Sequence, residues 1–218
     1  MEIILKNLTK ELNGNRVVNN VNLSLYAGKI YGLCGYNGCG KTMLMRLIAG
    51  MIRPTMGTVT IDGKQLGKDM DFPPKMGVLI ENPAFLGNYS GYENLRLLAS
   101  ISGKINSDMI EDVLERVGLS DSAKKKYRKY SLGMKQRLGI AAAIMEKPNL
   151  LILDEPTNAL DTDGVQRTKE IIREERNRGT LVIMTCHDRA ILEDLCDEIF
   201  NIEHGTVMIA STKDEGGR

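Results

Sequence analysis

The stretch that most restricts this chain is GYNGCGKT, residues 35–42. An apolar run, KIYGLC at 29–34, precedes it. KTMLMRLIAGM follows at 41–51, with apolar residues at helical spacing. The stretch fits G-x-x-x-x-G-K-[ST] in full and stands between a predicted strand and a predicted helix, where such a loop has to stand. Glycines at 35, 38 and 40 let the backbone wrap so that successive N–H groups point inward at phosphate oxygens. The helix that starts near Lys41 adds its positive dipole end. Gly35, Tyr36, Asn37, Gly38, Cys39 and Gly40 are therefore expected to cradle phosphates. Lys41 is expected to reach the β- and γ-phosphates, and Thr42 to offer its hydroxyl to Mg²⁺. Among those N–H groups, the Cys39 thiol is expected to be either a reactive thiolate when nucleotide is absent or an inert small side chain. The loop alone indicates a nucleoside triphosphate and does not separate kinases, GTPases and ATPases.

A second constellation, NLLILDEP at 149–156, ends an apolar strand on two acids. Neighbouring strand residues face opposite ways, but where a strand ends both can turn toward one loop. Asp154 is the expected partner of Mg²⁺, directly or through water. Glu155 is the expected general base for an attacking water.

Around these motifs, EIILKNL and NLSLYAG read as strands, and GTVTIDGKQL reads as a hairpin turning at Asp62-Gly63. Between about 82 and 147 the periodicity turns helical, in GYENLRLLASISG, SDMIEDVLERVG and GMKQRLGIAAAIM. The strands LLIL and TLVIMT then flank a charged helix that stops at Gly179, and EIFNIEHGTVMIAS closes the chain as two strands. The pattern predicts a parallel α/β core with a helical insertion and extra antiparallel strands near the start. One domain over 1–218 is expected, with 1–80 and 148–218 forming core and β subdomain and about 82–147 the helical part. No extension past about 211 is expected to carry a regulatory domain.

The formal net charge of +1 over 218 residues gives no basic surface for nucleic acid. No run approaches the ~20 apolar residues needed to span a bilayer, and the start, MEIILKNLTKEL, has no leader pattern. Cys34, Cys39, Cys186 and Cys196 lack paired CxxC spacing and read as reduced thiols of a cytosolic protein.

YSLGMKQRLGIAAAI at 130–144 resembles the signature segment of ATP-binding cassette (ABC) proteins, usually written LSGGQ. Ser131, Gly133 and a helix starting at Met134 match in position, and Leu132 replaces the first signature glycine. NALD with Asp161 resembles the D-loop of that family, and TCHD with His187 its switch histidine. The resemblance runs from Glu2 to about Ser211. It implies a P-loop NTPase fold with a RecA-like parallel sheet core, an N-terminal antiparallel β subdomain and an inserted helical subdomain. It also implies an ATPase using ATP and Mg²⁺, with His187 contacting the γ-phosphate. In the family, two cassettes close head to tail over ATP. Ser131, Leu132, Gly133 and Met134 are thus expected to meet the phosphate of a second cassette, here an identical copy. Separate integral-membrane permeases are the other expected partners. They would place the chain in the cytoplasm, on the inner face of the membrane.

Further departures from the family stand out. The aromatic that usually stacks on adenine is replaced by Leu12, with Val18 as a further apolar contact, so weak base discrimination is expected. Met43 stands where many members have Ser or Thr, which removes one α-phosphate hydrogen bond. A Glu at position 81 stands where the family has Gln in a loop that touches Mg²⁺ and borders the permease surface. With SLGMKQRLGIA, it resembles the bacitracin-resistance and lantibiotic-immunity branch of the exporters. The other open reading is an ABC ATPase acting on ribosomes or DNA. Such factors usually carry two cassettes or long coiled coils, and this chain has neither.

Overall fold

The computed structural model describes residues 1–103 and 105–212. The chain end past about 211, where no appended unit was expected, lies largely outside them. Two sheets share the chain. The first is antiparallel and has the order β2-β1-β4-β5. Its strands are β1 (Glu2–Leu12), β2 (Asn15–Tyr26), β4 (Met56–Ile61) and β5 (Lys64–Gln65). The second has the order β10-β9-β3-β8-β7-β6. It is built from β3 (Ile30–Cys34), β6 (Met76–Leu79), β7 (Leu150–Leu153), β8 (Leu181–Thr185), β9 (Glu198–Glu203) and β10 (Thr206–Thr212). All its pairings are parallel except β9–β10.

The central strands are apolar on both faces, as a covered parallel sheet requires. Ile30, Leu151, Leu153, Val182 and Met184 point to one side. There they meet residues of α2 (Gly91–Ser102), α3 (Ser107–Arg116), α4 (Leu132–Ile144), α5 (Thr162–Asn177) and α6 (Arg189–Leu195). Tyr31, Leu33, Leu150, Ile152, Leu181 and Ile183 point to the other, against α1 (Lys41–Ile48) and the antiparallel sheet. Helices α2, α3 and α4 lie between β6 and β7 in sequence, which is where the helical periodicity was read. One contact seats α4 on the sheet. A Cβ built on Gly77 would lie 1.8 Å from the carbonyl oxygen of Ala143, so only glycine permits this approach.

Three boundaries differ from the sequence expectation. β1 and β2 are each several residues longer than EIILKNL and NLSLYAG. Asn7 (φ 47) and Asn20 (φ 48) are left-handed, and register shifts interrupt the ladder there. Bulges of this kind break the period-2 alternation from which strand length is read. Helix α4 begins at Leu132 rather than Met134, because the Ser131 hydroxyl accepts the Met134 N–H at 3.2 Å and acts as N-cap.

Candidate functional site

The glycine loop joins β3 to α1 and borders a cavity of about 430 Å³. Gly40 is the N-cap of α1 with φ 114, a conformation closed to a side chain. Lys41 Nζ donates to the carbonyls of Gly35 (2.7 Å) and Tyr36 (3.1 Å), so the lysine curls back over the loop and stays at the cavity wall. The turn between β9 and β10 braces the loop from behind, through Gly205 N–H to the Cys39 carbonyl at 3.1 Å.

Across the cavity, the ends of β7 and β8 carry a continuous hydrogen-bonded chain. The Thr42 hydroxyl donates to Asp154 Oδ2 (2.7 Å), and the Thr185 hydroxyl donates to Asp154 Oδ1 (2.7 Å). The Glu155 N–H donates to Thr185 Oγ1 at 2.8 Å, and the His187 N–H donates to Glu155 Oε2 at 3.0 Å. The other carboxylate oxygen, Oε1, is buried without a hydrogen-bond partner and lies 3.6 Å from His187 Nε2. Glu155 has φ 51, a left-handed conformation that costs a non-glycine residue about 1–2 kcal/mol. Such strain is stored where surrounding bonds over-determine the backbone. Burial pushes the Glu155 carboxyl above the usual carboxylate range, partly offset by His187. A carboxyl with a raised pKa and an unpaired oxygen in a cleft has the character of a general base.

The fit to a metal follows from the donor set. Thr42 and Asp154 are hydrogen-bonded to each other at the cavity wall, while no cluster of three or more His, Cys, Asp or Glu exists among the described residues. That suits Mg²⁺, which takes one or two protein ligands beside phosphates and water, and not a metal caged by protein.

The signature residues lie elsewhere. Ser131, Leu132, Gly133 and Met134 line a separate open hollow with Arg137, Ala159 and Asp161. Leu132 is 71% exposed. Asp161 caps α5 by accepting the Gly164 N–H at 2.9 Å, and it also accepts from Arg137 at 2.6 Å. These contacts, the Gly164 N–H foremost, hold its carboxyl below the usual range.

Comparison with known proteins matches this arrangement. The family profile described as "ABC transporter" covers residues 18–158. An uncharacterized ABC transporter ATP-binding protein of Bacillus subtilis, YybJ, is 45% identical over 199 residues, 91% of each chain. The chain belongs to the ABC transporter family. The bacitracin transport ATP-binding protein BcrA of Enterococcus faecalis is 42% identical over 94% of this chain and 68% of its own. The lantibiotic transport ATP-binding protein SrtF of Streptococcus pyogenes is 36% identical over 96% and 90%. A solved ATP-binding subunit of an ABC transporter superposes with a TM-score of 0.88 at 25% identity, covering 99% of this chain and 91% of that one. A dimeric ATP-binding cassette solved in a post-hydrolysis state with ADP and Pi has the same fold, with a TM-score of 0.86 at 22% identity over 97% of this chain and 99% of that one. This chain is thus an ABC ATPase, the ATP-binding subunit of a transporter. Nothing among these relatives supports a cassette acting on ribosomes or DNA.

Several sequence expectations for the ABC site need correction. Val18 is 1% exposed and packs in the core, and its neighbour Val17 lines the cavity instead. Strand alternation puts the two on opposite faces, and the bulges in β2 hid which one faces out. Leu12, at the exposed end of β1, is not among the lining side chains. Cys39 is 2% exposed with its sulfur turned into the core, which excludes the exposed-thiolate alternative. Gly35 and Tyr36 give carbonyls to Lys41 rather than a wall to the cavity, and the Tyr36 hydroxyl is 3.1 Å from His204 Nδ1. Glu81 lines the cavity rim, but its carboxylate is ion-paired to Arg46 of α1 and is 65% exposed. Glu81 thus shares the cavity with Thr42 and Asp154, while Arg46 compensates its charge. Met43, Asn82, Gln136 and Asn158 also line the cavity; sequence reasoning assigns a site role to Met43 alone and reads Gln136 only as part of the signature segment. Gln136 sits inside the KQR of the signature segment, a signal that could have found it. Thr185 had none beyond its place at a strand end.

Proposed function

We propose that the chain is one nucleotide-binding cassette that hydrolyses Mg-ATP to drive export by separate membrane permeases, with a membrane-active peptide of the bacitracin or lantibiotic kind as cargo. The observation that carries the catalytic part is the chain Thr42–Asp154–Thr185–Glu155–His187 facing the glycine loop. Lys41 and the N–H groups of residues 37–40 bind the β- and γ-phosphates. Glu155, fixed through the His187 N–H, takes the proton of the attacking water on its unpaired Oε1. The exposed His187 imidazole would meet the γ-phosphate. Thr42 and Asp154 would hold Mg²⁺, which would neutralise charge on the β- and γ-phosphates.

The hollow of residues 131–134 shares no lining residue with the cavity at the chain's own glycine loop, which supports a head-to-tail dimer in which these residues meet the phosphate of a second copy's ATP. No helix among the described residues is long and apolar enough to cross a membrane; separate permeases would supply the path. We place the cassette on the cytoplasmic face of those permeases, with the segment 82–147 as the unit that carries the signature. The cargo rests on relatives named for bacitracin and lantibiotic transport. The test is to express the chain with a permease that co-purifies with it in a sensitive cell and measure growth inhibition by bacitracin and a lantibiotic. Protection that disappears with Glu155→Gln is expected. Unchanged sensitivity to both, with the complex assembled and active as an ATPase, refutes the cargo.

A further inference from the structure

The signature helix touches the catalytic residue of its own chain. Gln136 of α4 is 7% exposed, and its Nε2 donates to the backbone carbonyl of Glu155 at 2.9 Å. That carbonyl belongs to the residue at φ 51, so the bond fixes the peptide plane on the far side of a sparsely populated conformation. The Glu155 N–H is fixed separately by Thr185 and the carboxylate by the His187 N–H. Gln136 is thus the contact from α4 on the residue that bears the base. One position further along, Arg137 grips Asp161 at the other end of the same loop, so residues 155–161 are held to α4 at both ends. Ser131, the N-cap of α4, lies five residues before Gln136, about 7.5 Å along the axis. A helical segment this short transmits a displacement with little bending.

We infer that Gln136 is a positioning residue that ties the geometry of Glu155 to the placement of the signature helix. Each base then reaches its working orientation only when its own α4 is seated against the phosphate of the second copy's ATP. This rests on the proposed roles of Glu155 and of residues 131–134. The two active sites of a dimer are thereby linked within each chain, without a contact between the two bases.

The test compares Gln136→Met, which keeps length and removes the donor, with Gln136→Glu, which puts an oxygen against the carbonyl. In Gln136→Met, kcat for ATP falls tenfold or more with KM within threefold, and ATP-dependent dimerisation persists in a Glu155→Gln background. In Gln136→Glu, activity relative to wild type rises as pH falls, because the protonated carboxyl can again donate to the Glu155 carbonyl. The same ratio for Gln136→Met stays flat. Combining Gln136→Met with Ser131→Ala gives a loss in kcat smaller than the product of the single losses. Wild-type kcat in Gln136→Met overturns the inference. So does a kcat loss matched by loss of dimer and of folded protein, which leaves only a structural role, and so do multiplicative losses in the double variant. Failure of the underlying reading looks different: Glu155→Gln alone would then remain active.

Discussion

Replacing Glu155 by Gln separates two consequences of one buried charge. The amide oxygen can keep the His187 N–H bond now made by Oε2 at 3.0 Å, so the local backbone is expected to hold. The other carboxylate oxygen, buried and unpaired, loses its ability to take a proton. General-base catalysis contributes typically about 10²–10⁴-fold, so Pi release in a single turnover is expected to slow by that factor, about 3–5 kcal/mol in the barrier. Stability should move the other way. Burial raises the Glu155 pKa, so the ionised carboxylate is disfavoured in the folded state relative to the unfolded chain. The wild-type contribution is fully favourable below the unfolded pKa and is lost as pH rises through the raised folded pKa. At pH 8 the amide avoids that penalty and Tm rises, by about 2–4 °C per kcal/mol for a chain of this size. The gain shrinks as the pH is lowered through the folded pKa toward the ordinary carboxylate range. Calorimetry at pH 5 and pH 8, with single-turnover hydrolysis on the same samples, reads both effects. Hydrolysis within tenfold of wild type would move the base elsewhere, and a Tm that does not rise at pH 8 would mean the carboxylate is not desolvated.

Lys41→Ala removes a charged donor worth about 1.5–3 kcal/mol, so ATP binding by fluorescence titration is expected to weaken about 10–100-fold, and unchanged affinity would remove its role. The Cys39 thiol, buried beneath the loop, should alkylate slowly and equally with and without Mg-ATP, and rapid modification of the nucleotide-free protein would contradict its placement. Glu81→Gln breaks the ion pair with Arg46 but leaves the base intact, so basal ATPase activity should stay within a few-fold while stimulation by the reconstituted permease changes; wild-type stimulation and wild-type resistance together would reduce Glu81 to a surface acid. Gly77→Ala forces a Cβ against the Ala143 carbonyl and should lower the denaturation midpoint by displacing α4 from the sheet, whereas a wild-type midpoint would mean that this approach is not constrained.

The sequence by itself determined whatever depends on neighbours along the chain. The glycine loop is local because consecutive N–H groups make it, and Asp154 and Glu155 end an apolar strand on adjacent residues. The order of loop, signature segment, acids and histidine gave the family, and apolar runs bounded by Gly and Pro placed most strands and helices. The tertiary structure decided what depends on which side a residue faces or on who stands across a gap. Val17 rather than Val18 reaches the cavity because bulges at Asn7 and Asn20 reset an alternation that a one-residue slip inverts. Cys39 turns inward and Glu81 finds Arg46, 35 residues away. Thr185 joins Asp154 to Glu155 across 31 and 30 residues, and Gln136 reaches Glu155 across 19. A hydrogen bond across such a separation leaves no periodic trace, because either partner alone is an ordinary polar residue on a strand end or a helix. The signature residues show the same division. Their sequence announces an anion site, but only the tertiary structure sets it in a hollow that shares no residue with the cavity at the chain's own glycine loop.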